Sequence, residues 1–283
     1  MLSLHTNTAS LSAQNSVAKT QSQLSTSMTR LSTGFRINSA MDDAAGLQIA
    51  TRLKAQTSGM TVAMNNTQNS TSLLQTAEGA FGEVTNMLVR MKDLATQASD
   101  ASSSSDDKVA MQAEFDALGK ELANVMKNTT FGGSTLLEGG TLGSSMSFQI
   151  GASSKEVMSF DVSTQMSALA SSLGSATANF AAATTGTELT SSANATIDLL
   201  VTAINDVSTV RSALGAAANR LDHVNNNLSN ISTNTKAATG RIMDTDYATE
   251  SSNMTSSQML LQAGTAMLKQ SNSMSQMVMS LLQ

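Results

Sequence analysis

Four charged side chains crowd into residues 30–43 of "RLSTGFRINSAMDDAAGLQIATRL", residues 30–53, after an opening stretch in which Lys19 is the only charge. Arg30, Arg36, Asp42 and Asp43 raise three kinds of chemistry. A pair of carboxylates can share acid–base work, but adjacent residues on a helix do not face each other. No candidate nucleophile or base stands near Asp42–Asp43. A metal would need further ligands, and the two histidines, His5 and His223, are distant in sequence and lie in no H-E-x-x-H pattern. The third possibility is structural: Ser39 and Asp42 fit a capping box, S-x-x-D, opening a helix that carries Leu47, Ile49 and Leu53. On this reading the patch turns the chain and is built to be held there by a partner, whether a substrate, a metal or another protein. Glycine-rich "FGGSTLLEGG" lacks the G-K-[ST] that positions phosphates, so it reads as turns. No catalytic, cofactor-binding or metal-ligating residue is assigned.

The composition fits long uninterrupted helices. Among 283 residues there is no Pro, Cys or Trp, and Tyr247 is the single tyrosine. Ordinary usage gives roughly 5% Pro, and its total absence suits helices that tolerate no break. Without cysteine there is neither a disulfide framework nor a thiolate metal site. A net charge of −5 argues against nucleic acid, which calls for a basic stripe. No run approaches the roughly 18 apolar residues that a membrane span needs. The opening "MLSLHTNTASLSAQNSVAK" has no basic n-region followed by an apolar h-region, so a cleaved secretory signal is not expected.

The elements that carry the charged patch follow from periodicity. Val17, Leu24, Met28, Leu31 and Phe35 fit three- and four-residue steps near the start, with Gln21 filling one position. Leu260, Ala263, Met267, Met274, Met277 and Leu281 do the same near the end, around Gln270. Inside them lie two longer seams in coiled-coil register. One runs Met60, Ala63, Thr67, Ser70, Leu74, Ala77, Phe81, Val84, Leu88, Met91, Ala95. Its partner runs Leu200, Ala203, Val207, Val210, Leu214, Ala217, Leu221, Val224, Leu228, Ile231, Thr235. Leu74, Phe81, Leu88, Leu214, Leu221 and Leu228 are the large seam residues. Neither helix can bury its stripe alone, so their pairing brings the chain ends together. Between them "SSSSDDKVAMQAEFDALGKELANVMK" reads as a shorter helix with acids in its first turn. Its inner face is expected at Val109, Gln112, Phe115, Leu118, Leu122 and Val125. "SMSFQIGASSKEVMSFDV" reads as two short strands around a loop. Residues 163–195, with Glu188 their only charge, read as a weakly specified cap. The nineteen methionines lie mostly on or beside the seams and read as flexible core filler.

These motifs resemble bacterial flagellin over nearly the whole chain. "RLSTGFRINSAMDDAAGLQIA" is similar to the family's N-terminal signature, and "LLQTAEGAFGEVTNMLVRMKDLATQAS" to its long inner helix. "RIMDTDYATESSNMTSSQMLLQAGTAMLKQSNSMSQMVMSLL" is similar to its C-terminal signature. The opening "LSLHTNTASL" and the short middle resemble the lateral, swarming type. Two departures stand out: Ser275 occupies a place where the family usually has Pro, and little room remains for outer domains.

The resemblance implies a mainly α fold: a long antiparallel coiled-coil-like bundle, paired N- and C-terminal helices, and a small β-hairpin region in the middle. Residues 1–35 and 252–283 would form the inner filament core, and 36–46 and 239–251 the connecting spokes. Residues 47–130 and 195–238 would form the helical bundle, and 131–194 the hairpins and a small variable cap. Arg30, Arg36, Asp42, Asp43, Arg241, Asp244 and Asp246 would fix the spokes within or between subunits. The implied function is a non-enzymatic subunit that self-assembles into the extracellular flagellar filament for swimming or swarming. Export would run through the flagellar type III system without a cleaved signal peptide. Implied partners are other copies, an export chaperone on the C-terminal segment, filament cap and junction proteins, and a host innate-immune receptor. Arg90, Leu94, Gln97 and Glu114 are similar to that receptor's epitope. Neither nucleic acid nor membrane insertion is implied, and no cofactor. A hook–filament junction protein with flagellin-like ends is the alternative.

Overall fold

The computed structural model describes residues 7–182 and 184–281, with the side chains of residues 181, 275, 276 and 278–281 excepted. His5 and the Leu281 side chain therefore lie outside the described residues. Among the described residues, eight α-helices and two small hairpins follow in the order α1 (Thr8–Thr33), α2 (Ala44–Ala98), α3 (Ser105–Asn128), β1 (Thr130–Phe131), β2 (Ser134–Thr135), β3 (Met146–Gln149), β4 (Val157–Phe160), α4 (Ser163–Ala176), α5 (Ala178–Ala181), α6 (Glu188–Ser191), α7 (Ala193–Met243) and α8 (Tyr247–Leu281). The chain divides into two compact units, 1–57 with 233–283, and 58–232.

The larger unit has the molecule's apolar core. Along α2, every seam position from Met60 to Ala95 is buried except half-buried Ser70, with Thr67 satisfied by donating to the Ala63 carbonyl. Along α7, Leu200, Ala203, Val207, Val210, Leu214, Ala217 and Leu221 are buried against the same cluster. Leu228 packs with Met60 and Ala63, so the two long helices do meet along their stripes. Ile231 departs from the seam: it is exposed and Ser232 is buried in its place, a one-residue shift that small side chains allow.

On α3 the buried face is Met111, Gln112, Phe115, Asp116, Gly119, Leu122, Ala123 and Met126. Val109, expected on that face, is exposed. Ser104 opens α3 with a full capping box: its hydroxyl accepts from Asp107 N, and the Asp107 carboxylate accepts from Ser104 N. β3 and β4 pair antiparallel from Met146↔Phe160 to Gln149↔Val157, and the alternation turns Met158 into the core. The segment expected to be weakly specified is α4–α6. It buries Met166, Leu169, Leu173, Phe180 and Leu189 in the main cluster. Its Ala, Ser and Thr content hid a regular three- and four-residue apolar spacing.

The smaller unit is built differently. α1 and α8 lie antiparallel, with Asn7 Nδ2 donating to the Ser271 carbonyl at 3.2 Å and Ser10 Oγ to Asn272 Oδ1 at 3.0 Å. On α8 the contact face is Glu250, Met254, Ser257, Leu261, Gly264, Leu268 and Ser271. A Cβ on Gly264 would come within 2.7 Å of Val17 Cγ2, so the glycine permits the close approach. The expected C-terminal seam is therefore one step off. Leu260, Ala263, Met267, Met274 and Met277 are all exposed, while Val17, Leu24 and Leu31 of α1 are half-buried and Met28 and Phe35 exposed.

Candidate assembly surface

The charged patch of residues 30–53 turns out to be a set of helix ends. Helices leave their first N–H and last C=O groups without internal partners, and several of the charges sit where such a group needs one. Gly34 closes α1 in the left-handed conformation, its N–H donating to the Arg30 carbonyl at 2.9 Å. Arg36 serves the end of α7: its backbone N–H donates to the Met243 carbonyl at 2.6 Å and Nη2 to the Ile242 carbonyl at 2.8 Å. A cation there also complements the helix dipole. Asp43 caps α2, its Oδ1 accepting from Gly46 N at 2.8 Å.

Asp246 caps α8, accepting from Ala248 N at 3.0 Å and Thr249 Oγ1 at 2.7 Å. These bonds, the Thr249 hydroxyl first, hold its carboxyl below the ordinary range. Asp42 closes the turn just before α2. Its Oδ2 accepts from Ser39 N at 2.8 Å and Asn38 N at 3.0 Å, and the Ser39 and then the Asn38 amide lower its pKa. Ser39 thus does not cap α2, as expected from spacing; the turn it forms with Asp42 ends one residue before the Asp43 cap.

One rung of antiparallel pairing, Phe35↔Asp244, ties the two connectors together, with Thr245 N donating to the Gly34 carbonyl at 3.0 Å. The connectors are short: residues 34–43 on one strand of the join, and residues 244–246 on the other. Arg30 pairs with Glu250 at 3.6 Å, the arginine in the last turn of α1 and the glutamate in the first turn of α8. Glu250 was not among the expected site residues; its signal was its place four residues after Asp246, in a first turn where acids are favoured. Arg241 is exposed in the last turn of α7.

The expected receptor-facing residues separate. Arg90 and Glu114 are exposed and pair across α2 and α3 at 2.7 Å, and Gln97 is exposed. Leu94 is 3% exposed and belongs to the core, so it offers no side chain to a receptor. A second polar group escaped the sequence. Buried Asp116 accepts from Gln112 Nε2 and Asn179 Nδ2, each at 2.8 Å, and from Gly186 N at 3.2 Å. Gln112 Nε2 also donates to Glu188 at 2.8 Å, and Gln112 Oε1 accepts from Leu189 N at 2.7 Å. This knot fastens α5 and α6 to α3.

The terminal pair is the surface with most left to bury. Among the described residues of α1 and α8, only Ser27, Glu250 and Ser257 are buried. Leu11, Met28, Met259, Leu260, Met267, Met274 and Met277 are exposed. Among the described residues, no helix is long and apolar enough to cross a membrane.

Comparison with known proteins agrees with this architecture. The bacterial flagellin N-terminal helical region matches residues 4–141, and the bacterial flagellin C-terminal helical region matches residues 197–282. A flagellin of Halalkalibacterium halodurans is 38% identical, with 98% of each chain covered. Flagellin A of Vibrio anguillarum is 34% identical, with both chains covered in full. A solved structure described as a putative flagellar hook-associated protein from Vibrio parahaemolyticus shares the fold at 16% identity and a TM-score of 0.54. That match covers 72% of this chain and 100% of the other. The chain belongs to the bacterial flagellin family, the structural subunits of the flagellar filament.

Proposed function

We propose that this chain leaves the cell through the flagellar type III apparatus and polymerises into an extracellular helical filament for swimming or swarming. The observation that carries the reading is the exposed apolar stripe of α8, beside a terminal pair that buries no apolar residue among those described. Leaving such a stripe in water is unfavourable, and further copies of α1 and α8 supply what covers it. A head-to-tail contact whose rotation does not close yields an open helical filament. Both ends are nearly free of charge, since only Lys19 precedes Arg30 and only Lys269 follows Glu250, so close packing there buries little charge. Arg36, Asp43 and Asp246 fix the directions in which α7, α2 and α8 leave the join; Arg30, Asp42, Arg241 and Asp244 stand beside them. In the domain reading, residues 1–35 and 252–283 line the filament core and 36–46 with 239–251 are its spokes. A chaperone covers the same α8 stripe before export, and cap and junction proteins meet it at the filament ends.

Recognition by a host innate-immune receptor is assigned to Arg90, Gln97 and Glu114, the exposed members of the set. The test of the main proposal is seeded growth: monomer is added to sheared filaments in raised sulfate, which strengthens apolar burial, and lengths are read by electron microscopy. Filaments that lengthen as long as monomer lasts support it. Growth that stops after a few layers assigns the chain to a junction role instead.

A further inference from the structure

We infer that the exposed methionines of α8 form an oxidation site that switches assembly off, and that hydrogen peroxide is the reagent. The inference rests on the reading that other copies cover this stripe. Its observation is the chemical identity of the exposed residues. Met259, Met267 and Met274 are 60%, 68% and 55% exposed and share the outer side of α8 with Leu260. The neighbouring contact face, turned to α1, carries Leu261 and Leu268 as its large apolar residues with Met254. Methionine is the apolar side chain that a mild two-electron oxidant converts into a polar one.

The reaction balances without a further co-reactant. The thioether sulfur attacks one peroxide oxygen, the O–O bond breaks, and hydroxide leaves. The hydroxysulfonium formed gives its proton to that hydroxide, so the products are methionine sulfoxide and water. Sulfur loses two electrons and the peroxide gains them. Each sulfoxide puts a strong acceptor where a neighbouring copy presents apolar surface, and an acceptor buried without a donor is costly.

The core supplies an internal control. Met91, Met126 and Met158 are at most 1% exposed, so the same dose leaves them reduced and the larger unit folded. Met41 is 96% exposed and lies off the stripe, so its oxidation alone changes nothing. In a filament the stripe is covered and oxidises slowly, which makes the site a gate on monomers and growing tips rather than on finished filament.

The experiment treats purified full-length monomer with dilute hydrogen peroxide, maps sulfoxides by peptide mass spectrometry, and measures elongation from sheared seeds. Expected are sulfoxides at residues 259, 267 and 274, with others at the exposed residues 28, 41 and 277, unchanged thermal unfolding of the larger unit, and elongation slowed about tenfold or more. Treatment with the two methionine sulfoxide reductases restores growth, and Met259→Leu/Met267→Leu/Met274→Leu loses much less of its growth to peroxide than the parent does, the remainder coming from the exposed Met28 and Met277. Oxidised parent that elongates like the untreated parent overturns the inference alone. So does growth that stays lost after both reductases have restored the thioethers, an arm that stands even where the triple variant fails to fold. Untreated parent that fails to elongate overturns the assembly reading and this inference together.

Discussion

Asp246, Asp42 and Asp107 each hold an exposed carboxylate against the amides or hydroxyls that open a helix or close a turn. All three have pKa values lowered from the ordinary 3.8. A depressed folded value contributes stability that is present above the unfolded value and is lost as pH falls through the folded one. Acid should therefore loosen the starts of α8, α2 and α3 below about pH 4. Asp246→Asn tests the sign, because Asn caps well but does not titrate in this range. Its melting temperature should fall less than that of the parent between pH 5 and pH 3; equal falls would remove Asp246 from the acid response. Arg90→Ala with Glu114→Ala removes an exposed pair worth about 0–1 kcal/mol. The double variant should melt almost as the parent does and activate the host receptor less. Equal signalling would remove the epitope assignment.

The helices differ in how openly their sequences speak. The α2 seam keeps a 4–3 alternation filled, Ala77 apart, with large residues from Leu74 to Met91, and all of these are buried. Leu88→Asp should unfold the larger unit, since an unpaired charge there costs several kcal/mol. Parent-like helicity and melting in that variant would show that position 88 is not core. α8 misleads because it carries two stripes. The one richer in large apolar residues attracts the eye, yet the contact face includes Ser257, Gly264 and Ser271, small residues that let α1 come close. A hydrophobicity pattern says which face is apolar and not which partner covers it.

The Asp116 knot was illegible for another reason. Its members come from α3 and from residues 179–189, and only packing brings them together. That Arg36, Asp43 and Asp246 each answer a particular helix end needed the helix boundaries. Asp116→Ala leaves Asn179 Nδ2 and Gly186 N without their buried acceptor, a loss of about 2–5 kcal/mol. Hydrogen exchange should rise first in residues 177–189. Unchanged protection there would mean the knot holds nothing in place.

At the scale of the molecule, the two units differ in what they bury. The larger has a continuous apolar cluster, whereas the terminal pair has no buried apolar residue among those described in α1 and α8. Most helical stability in proteins comes from tertiary packing of an apolar face, and this pair has little of it. Brief proteolysis of monomer should remove both ends and leave a core near Ser58–Ser232 that no longer polymerises. Ends as resistant as the core would mean that the terminal pair is stable by itself.

In the proposed filament the exposed stripe of α8 is buried against other copies. Met267→Lys tests it most directly, because Met267 is exposed in the monomer and lysine is a good helix former. The variant should match the parent in helicity and melting and fail to elongate from parent seeds, since a neighbouring copy would have to bury an unpaired ammonium. Elongation of Met267→Lys at the parent's rate would contradict the account.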